Sequence, residues 1–265
     1  MLRLQKKIKN KFILCHFAFF LLAASVCFAD EKKVDFVIES SFLSRYIDKG
    51  FDSFPDNHSA MVYSLYADFF ESGFGLNVNL IRANTSGFEN AEKMEYAVYY
   101  ENALFEESRF LTEYLLLYRY NSFPDNPRRI SNTHEIEMGF AWPGLSLWSF
   151  VPRYAAVVEW PAESKAENCA DGGWMHIVGF EGIVSQSFLG LAQWPIVLSA
   201  DFFYNDGLGC DVDHDWSHAV FGISTEFSLS KHLNFSPSLY YQSSWDDSVN
   251  TRDEWWTRLC LIYKF

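Results

Sequence analysis

From residue 34 onward, apolar and polar side chains alternate in one segment after another, the period of a β-strand whose two faces meet different surroundings. The last segment is the clearest: Trp255, Leu259, Leu261, Tyr263 and Phe265 share one parity with Thr257, and Arg258, Cys260 and Lys264 share the other. Leu233, Phe235, Pro237, Leu239 and Tyr241 alternate with Asn234, Ser236, Ser238, Tyr240 and Gln242. Ala219, Phe221, Ile223, Thr225, Phe227 and Leu229 alternate with His218, Val220, Gly222, Ser224, Glu226 and Ser228. The same reading predicts strands over 196–204, 174–187, 147–159, 132–142, 110–120, 93–103, 74–82, 59–70 and 34–48, twelve in all.

The connections alternate in length. Tight ones fall at 71–73, 104–109, 143–144, 189–193 and 230–232, and longer polar ones at 50–57, 83–91, 121–130, 161–173, 206–215 and 245–253. Short turns at one end and long loops at the other, with an even strand count, are the asymmetry of membrane barrels. The pattern predicts an all-β fold, a transmembrane antiparallel up-and-down β-barrel of about twelve strands with periplasmic termini. A soluble β-sandwich or lipocalin-like barrel would show the same alternation with its faces exchanged. Large aromatics on the apolar parity of nearly every strand favour the membrane form, as do segments near the roughly ten residues a tilted membrane strand needs.

The first 29 residues read as a segment apart. Arg3, Lys6, Lys7, Lys9 and Lys11 precede an apolar run from Phe12 to Phe28, and Ala29 closes it before Asp30-Glu31-Lys32-Lys33, the layout of a signal peptide. Residues 30–265 then form one domain, the barrel, exported to the cell outer membrane. Removing residues 1–29 takes away five of the 21 Lys and Arg and none of the 34 Asp and Glu, leaving 16 against 34 and a formal charge of −18. So acidic a chain has no basic patch for nucleic acid, which is set aside as a partner. The 26 Phe, 14 Tyr and 9 Trp suit a lipid-facing surface and its interfacial girdles. Of the cysteines after Ala29, Cys169 and Cys210 fall in neighbouring polar loops and are candidates for a disulfide, while Cys260 reads as a small packing residue in a strand.

With the apolar parity outward, the polar parity lines a lumen. It carries Glu39, Asp68, Glu95, Glu101, Glu113, Glu135, Glu137, Glu159, Glu181, Asp201 and Glu226 against Arg45, Arg119, Arg153 and Arg258. An excess of one sign in a narrow pore concentrates counter-ions, so these residues predict weak cation selectivity for small solutes. The alternative is a lumen closed by salt bridges, since an unpaired charge there is costly and each arginine is expected to sit between acids.

Other chemistries find less support. None of His58, His134, His176, His214, His218 and His232 has Ser or Thr two residues on, the spacing of outer-membrane phospholipases, so no catalytic residue is assigned. Asp211, Asp213, His214 and Asp215 match no calcium-loop spacing and read as a solvated acidic loop; no metal or cofactor is assigned. Trp142, Trp148, Trp160, Trp174, Trp194, Trp216, Trp245, Trp255 and Trp256 fall mostly at predicted strand ends, as girdle residues do. The expected partners are outer-membrane lipid, the barrel-assembly machinery, and small solutes or cations, with a monomer as the default.

Two stretches carry a resemblance. The terminal Phe265 with Tyr263 two positions earlier resembles the assembly signal of bacterial outer-membrane barrels. Ser44-Arg45-Tyr46-Ile47-Asp48-Lys49-Gly50, with Gly73-Phe74-Gly75 after the second strand, resembles the opening of the TorF-like family of outer-membrane porins. Asp48-Lys49 stands where that family usually has an aromatic and an arginine. The resemblance implies a porin-like role, a passive diffusion channel for small hydrophilic solutes, and carries over no site residue. A non-conducting structural or ligand-binding barrel is the alternative, and an outer-membrane hydrolase the third reading. N-terminal sequencing of the exported protein is expected to begin at Asp30; a chain retaining residues 12–28 would refute the signal peptide.

Overall fold

The computed structural model describes residues 34–54, 59–69, 71–84, 92–124, 132–163, 172–184, 194–209, 214–247 and 249–265. Twelve long strands make the wall: β1 (Val34–Leu43), β2 (Ala60–Phe69), β3 (Phe74–Ala83), β4 (Glu92–Leu104), β5 (Thr112–Ser122) and β6 (Thr133–Ala141). They continue with β7 (Phe150–Pro161), β8 (Gly173–Val184), β9 (Ile196–Asp206), β10 (Asp215–Thr225), β11 (Leu233–Ser244) and β12 (Glu254–Lys264). Each strand pairs antiparallel with the next, and β12 pairs with β1 from Val37↔Lys264 to Leu43↔Arg258, so the sheet closes on itself. A closed sheet leaves no open edge of unpaired backbone groups. Among the described residues there is no α-helix, only a 3-10 turn at Pro143–Leu145.

Register and exposure sort the two faces. Phe74, Leu76, Val98, Leu116, Ile136, Val178, Phe221, Leu259 and Leu261 are exposed, while Ser41, Ser64, Asn77, Glu95, Asn121, Glu135, His218 and Gln242 are buried. Apolar surface on the outside and polar side chains within is the reverse of a soluble core and the arrangement a lipid-embedded barrel requires. Two aromatic belts ring the outer face. At the end with long connections, Tyr120 and Trp160 flank His134, and Trp174, His176, Tyr204 and Trp216 follow in contact. At the other end, Phe74, Tyr100 and Tyr114 form one run, and Trp194, Phe227 and Phe235 another.

Several boundaries depart from the alternation. The strand predicted over 147–159 starts at Phe150, because the turn at Pro143 and the reversal at Leu147–Phe150 take up the intervening residues. The strand predicted to reach residue 229 stops at Thr225, and only Phe227-Ser228 pairs onward with β11. Trp256 does not belong to a girdle: Trp255 is 61% exposed outside, whereas Trp256 is 8% exposed and stacks on Tyr240 within. The largest departure is at the first strand, predicted to run to residue 48. The wall strand ends at Leu43, and the chain beyond it turns into the barrel.

Strands β2 and β3 join through the tight turn at Ser72-Gly73. Gly73 sits at φ 82°, its carbonyl accepts the Glu101 amide at 2.9 Å, and an added Cβ would run into the Glu101 carbonyl oxygen. Gly73→Val is therefore expected to cost about 1–3 kcal/mol of folded-barrel stability, read as a lower urea midpoint in detergent.

Candidate functional site

The wall holds the chain at Ser44, whose amide donates to the Thr257 carbonyl at 3.0 Å and whose hydroxyl accepts the Thr257 amide at 2.9 Å. Beyond it, Ile47-Asp48 pairs with Phe51-Asp52 as a small hairpin. Lys49 and Gly50 have φ of 51° and 91°, the two positive values of the tight turn whose twist suits a hairpin, and a glycine at the second position adopts it freely. The Ser53 amide closes the base on the Tyr46 carbonyl at 3.1 Å, and the Tyr46 and Phe54 rings lie 5.5 Å apart.

The hairpin enters the lumen from the end with long connections and touches wall strands on most of the circumference. Asp48 meets Lys93 of β4 at 2.7 Å. Lys49 bonds Glu135 of β6 and lies 2.9 Å from Glu159 of β7. Phe51 packs against the cluster of Val157, Met175, Phe203 and Leu208, from β7, β8, β9 and the connection after it. The Gly50 carbonyl accepts Gln242 Nε2 of β11 at 2.9 Å, and Arg45 bonds Glu254 of β12. The expectation that residues 50–57 form an outer polar loop is thus corrected for residues 50–54, because buried carboxylates on the wall are met by hairpin cations; residues 55–58 lie outside the described part.

Ion pairs link wall and hairpin into a circuit. Lys93 lies 2.7 Å from Glu95, Arg119 lies 4.0 Å from Glu95, 2.6 Å from Glu135 and 3.9 Å from Glu137, and Glu135 returns to Lys49. Five carboxylates (Asp48, Glu95, Glu135, Glu137, Glu159) face three cations (Lys49, Lys93, Arg119), so the circuit stays acidic by two charges. Burial alone would raise the Asp48 carboxyl, but Lys93 and Lys49 beside it outweigh burial and hold it well below the usual carboxylate range. Burial likewise works against the Lys49 ammonium, yet Asp48, Glu135 and Glu159 keep it above its ordinary value. Asp48 therefore contributes stability to the seated hairpin above its ordinary value of about pH 4, and that contribution is lost as the pH falls.

The remaining residues singled out from the sequence lie outside this circuit. Arg153 bonds Asp201 through Nε at 3.0 Å and Nη2 at 2.6 Å, and Glu181 through Nη1 at 3.0 Å. Arg258 reaches Glu39 at 2.9 Å and Ser41 at 3.0 Å, one acid rather than two. Arg45 lies between Glu254 and Asp52, the latter at 3.7 Å. Asp68 accepts the Tyr99 hydroxyl, while Glu101 and Glu113 make no ion pair among the described residues. Asp68, Glu101 and Glu113 line a cavity of about 780 Å³ at the end with short connections. Glu226, just past β10, accepts Asn234 Nδ2 at 2.7 Å. Tyr263 and Phe265 stack edge to face at 4.9 Å on the outer surface, and the Phe265 amide donates to the Phe36 carbonyl at 3.2 Å. Cys260 is a free, buried thiol, whereas Cys169 and Cys210 lie outside the described residues, as does the segment 1–29. Among the described residues no cluster of His, Cys, Asp and Glu could hold a metal.

Sequence reasoning missed Lys49, Lys93, Asp48 and Glu254 as interior charges. Lys93 and Glu254 share the inward parity of their strands, so the period itself carried that signal. Asp48 and Lys49 carried none beyond their neighbouring glycine.

A closed twelve-stranded wall, apolar outside and charged within, is the fold of outer-membrane porins. Among solved structures it is similar to the KdgM porin (TM-score 0.53, 10% identity, 86% of this chain and 99% of that one). It is also similar to the NanC porin (TM-score 0.52, 8% identity, 87% of this chain and 100% of that one). No known protein family matches the chain, and no curated protein matches it in sequence.

Removing one member of a buried ion pair strands its partner, which costs about 3–5 kcal/mol. Lys93→Gln is expected to lower stability by that order, and Asp48→Asn added to it by clearly less than the sum of the two single losses. Additive losses in a urea-unfolding double-mutant cycle would show that the two side chains are not coupled.

Proposed function

We propose that this protein is a porin-like channel of the outer membrane, passing small hydrophilic solutes with weak preference for cations. One observation carries the reading: a closed barrel with a polar interior is narrowed from its long-connection end by a hairpin tied to the wall, while an acid-lined cavity lies at the other end. The hairpin serves as the constriction, and Asp68, Glu101 and Glu113 supply the field that draws cations and repels anions. The resemblance at residues 44–50 and 73–75 to TorF-like porins supports the same reading, as do the porin neighbours in fold. In this account the chain is exported by its first 29 residues, inserted by the barrel-assembly machinery through its Tyr263 and Phe265 terminus, and works as a monomer in lipid. It needs no cofactor and performs no chemistry on its solutes.

The alternative, a non-conducting barrel, draws on the reach of the hairpin, whose contacts run from β4 round to β12. Planar-bilayer recording of refolded protein under a salt gradient separates the two. The channel reading expects stable steps with a cation-sided reversal potential; a correctly folded barrel that never conducts at any pH would sink it. One unit charge about 10 Å from the path in water is worth about 0.4 kcal/mol, so Glu113→Gln is expected to lower the cation-to-anion permeability ratio about twofold to fourfold.

A further inference from the structure

We propose that the inner hairpin is a proton-released gate whose sensor is His218: the hairpin seats only over the neutral imidazole, and protonation releases it from the lumen. The inference rests on the channel reading above and adds regulation to it.

His218 of β10 is fully buried. It takes the inward parity of its strand, and a register shift between Phe203 and Tyr204 in the β9–β10 pairing leaves the equally buried Ser217 unpaired beside it. Its ring stacks on Phe203 at 4.1 Å and 14°, and the hairpin tip also lies against it, where a Cβ on Gly50 would lie 2.6 Å from Nε2. Only the bare glycine at the tip allows that approach. Nδ1 meets the Ser217 hydroxyl at 2.9 Å, and Nε2 has no hydrogen-bond partner. On the same tip, Gln242 donates to the Gly50 carbonyl while its own Oε1 stays unpartnered.

Among the described residues no carboxylate makes a hydrogen bond or ion pair with this ring. The hairpin brings Gly50, and its neighbour Lys49 is a cation engaged by Glu135 and Glu159. From β9 comes Phe203, with Asp201 two positions along already held by two nitrogens of Arg153. β11 offers Gln242 and Ser244, both uncharged, and β12 offers Glu254, taken by Arg45 and Arg252. Asp52 of the hairpin faces Arg45. An imidazolium closed between Phe203 and Gly50 would therefore be a buried charge without a partner, which is strongly disfavoured.

The sign follows from linkage. Once the hairpin leaves, water reaches the ring and it titrates near its ordinary value of about 6.5; while the hairpin is seated, the charged form is excluded. Release takes up one proton, so the released fraction grows as the pH falls below about 6.5, by up to about tenfold per unit. Asp48, held well below the usual carboxylate range by Lys93 and Lys49, keeps its charge over this window. His134 and His176 sit in the outer aromatic belt, His214 is exposed beside Asp206, His232 lies at the end with short connections, and His58 lies outside the described residues.

The test compares the full barrel with His218→Gln and His218→Phe, both neutral at every pH, after confirming folding by heat-dependent gel mobility. Between pH 7.5 and 5.5 the natural protein is expected to gain about tenfold in open probability in a planar bilayer, and the variants to change little. In parallel, hydrogen exchange of residues 46–52, corrected for intrinsic rates, is expected to accelerate at pH 5.5 in the natural protein alone. Steady conductance at both pH values, with unchanged protection of the hairpin, overturns the gate and leaves the channel standing. Acid-accelerated exchange with no conductance at either pH supports hairpin release and overturns the channel reading instead. An equal pH response in the His218 variants would assign the release to another group and overturn this proposal.

Discussion

A backbone amide or carbonyl left unpaired in hydrocarbon costs several kcal/mol, and a sheet can meet that demand only by closing. The pairing of β12 with β1 is therefore the contact on which the rest of the molecule depends. Closure fixes which parity of every strand faces in, and with it a crowded interior. Polar and charged side chains from neighbouring strands then find partners within the lumen, as Arg119 and Glu135 do.

The inner hairpin is one answer to that crowding. Glu135 and Glu254 are each buried on the wall, and each takes a cation from the same short segment, Lys49 and Arg45. Lys93 and Asp48 make the reciprocal exchange, wall cation to hairpin acid. These pairs fix where the hairpin sits when it is in the lumen, and their members regain water when it leaves. On the opposite side the grip has a different character: Phe51 and Gly50 rest on apolar surface and on His218. One side is sensitive to the loss of a charge and the other to the gain of one.

The acidic excess is distributed unevenly as a result. Near the hairpin most carboxylates have cations against them, and their field is largely neutralised at close range. Glu101 and Glu113, with Asp68, lie around the open cavity at the far end and make no ion pair among the described residues. A diffusing ion would meet this end as a mouth of unpaired carboxylates and the hairpin as a constriction whose smaller acidic excess is shielded by adjacent cations, so attraction falls mainly to the first and sieving to the second.

Much of the wall was legible in the residue order. A period of two decides which side chains share a face, and Leu259, Leu261 and Tyr263 against Arg258 and Cys260 leave little choice. Strand number, antiparallel order and the inward direction of Glu135, Arg153 and Asp201 follow from the same rule, because each is local or nearest-neighbour. The fate of residues 44–54 is another matter. Ser44 to Asp52 reads equally well as the end of a strand and the start of a loop, and nothing nearby signals that Lys49 will meet Glu135, or that Gly50 will cover His218. Those contacts join residues far apart in the chain and exist only once the barrel has closed around them. The sequence by itself determined the two faces of the wall; which charges meet inside it was left to closure, which alone sets the distances across the lumen.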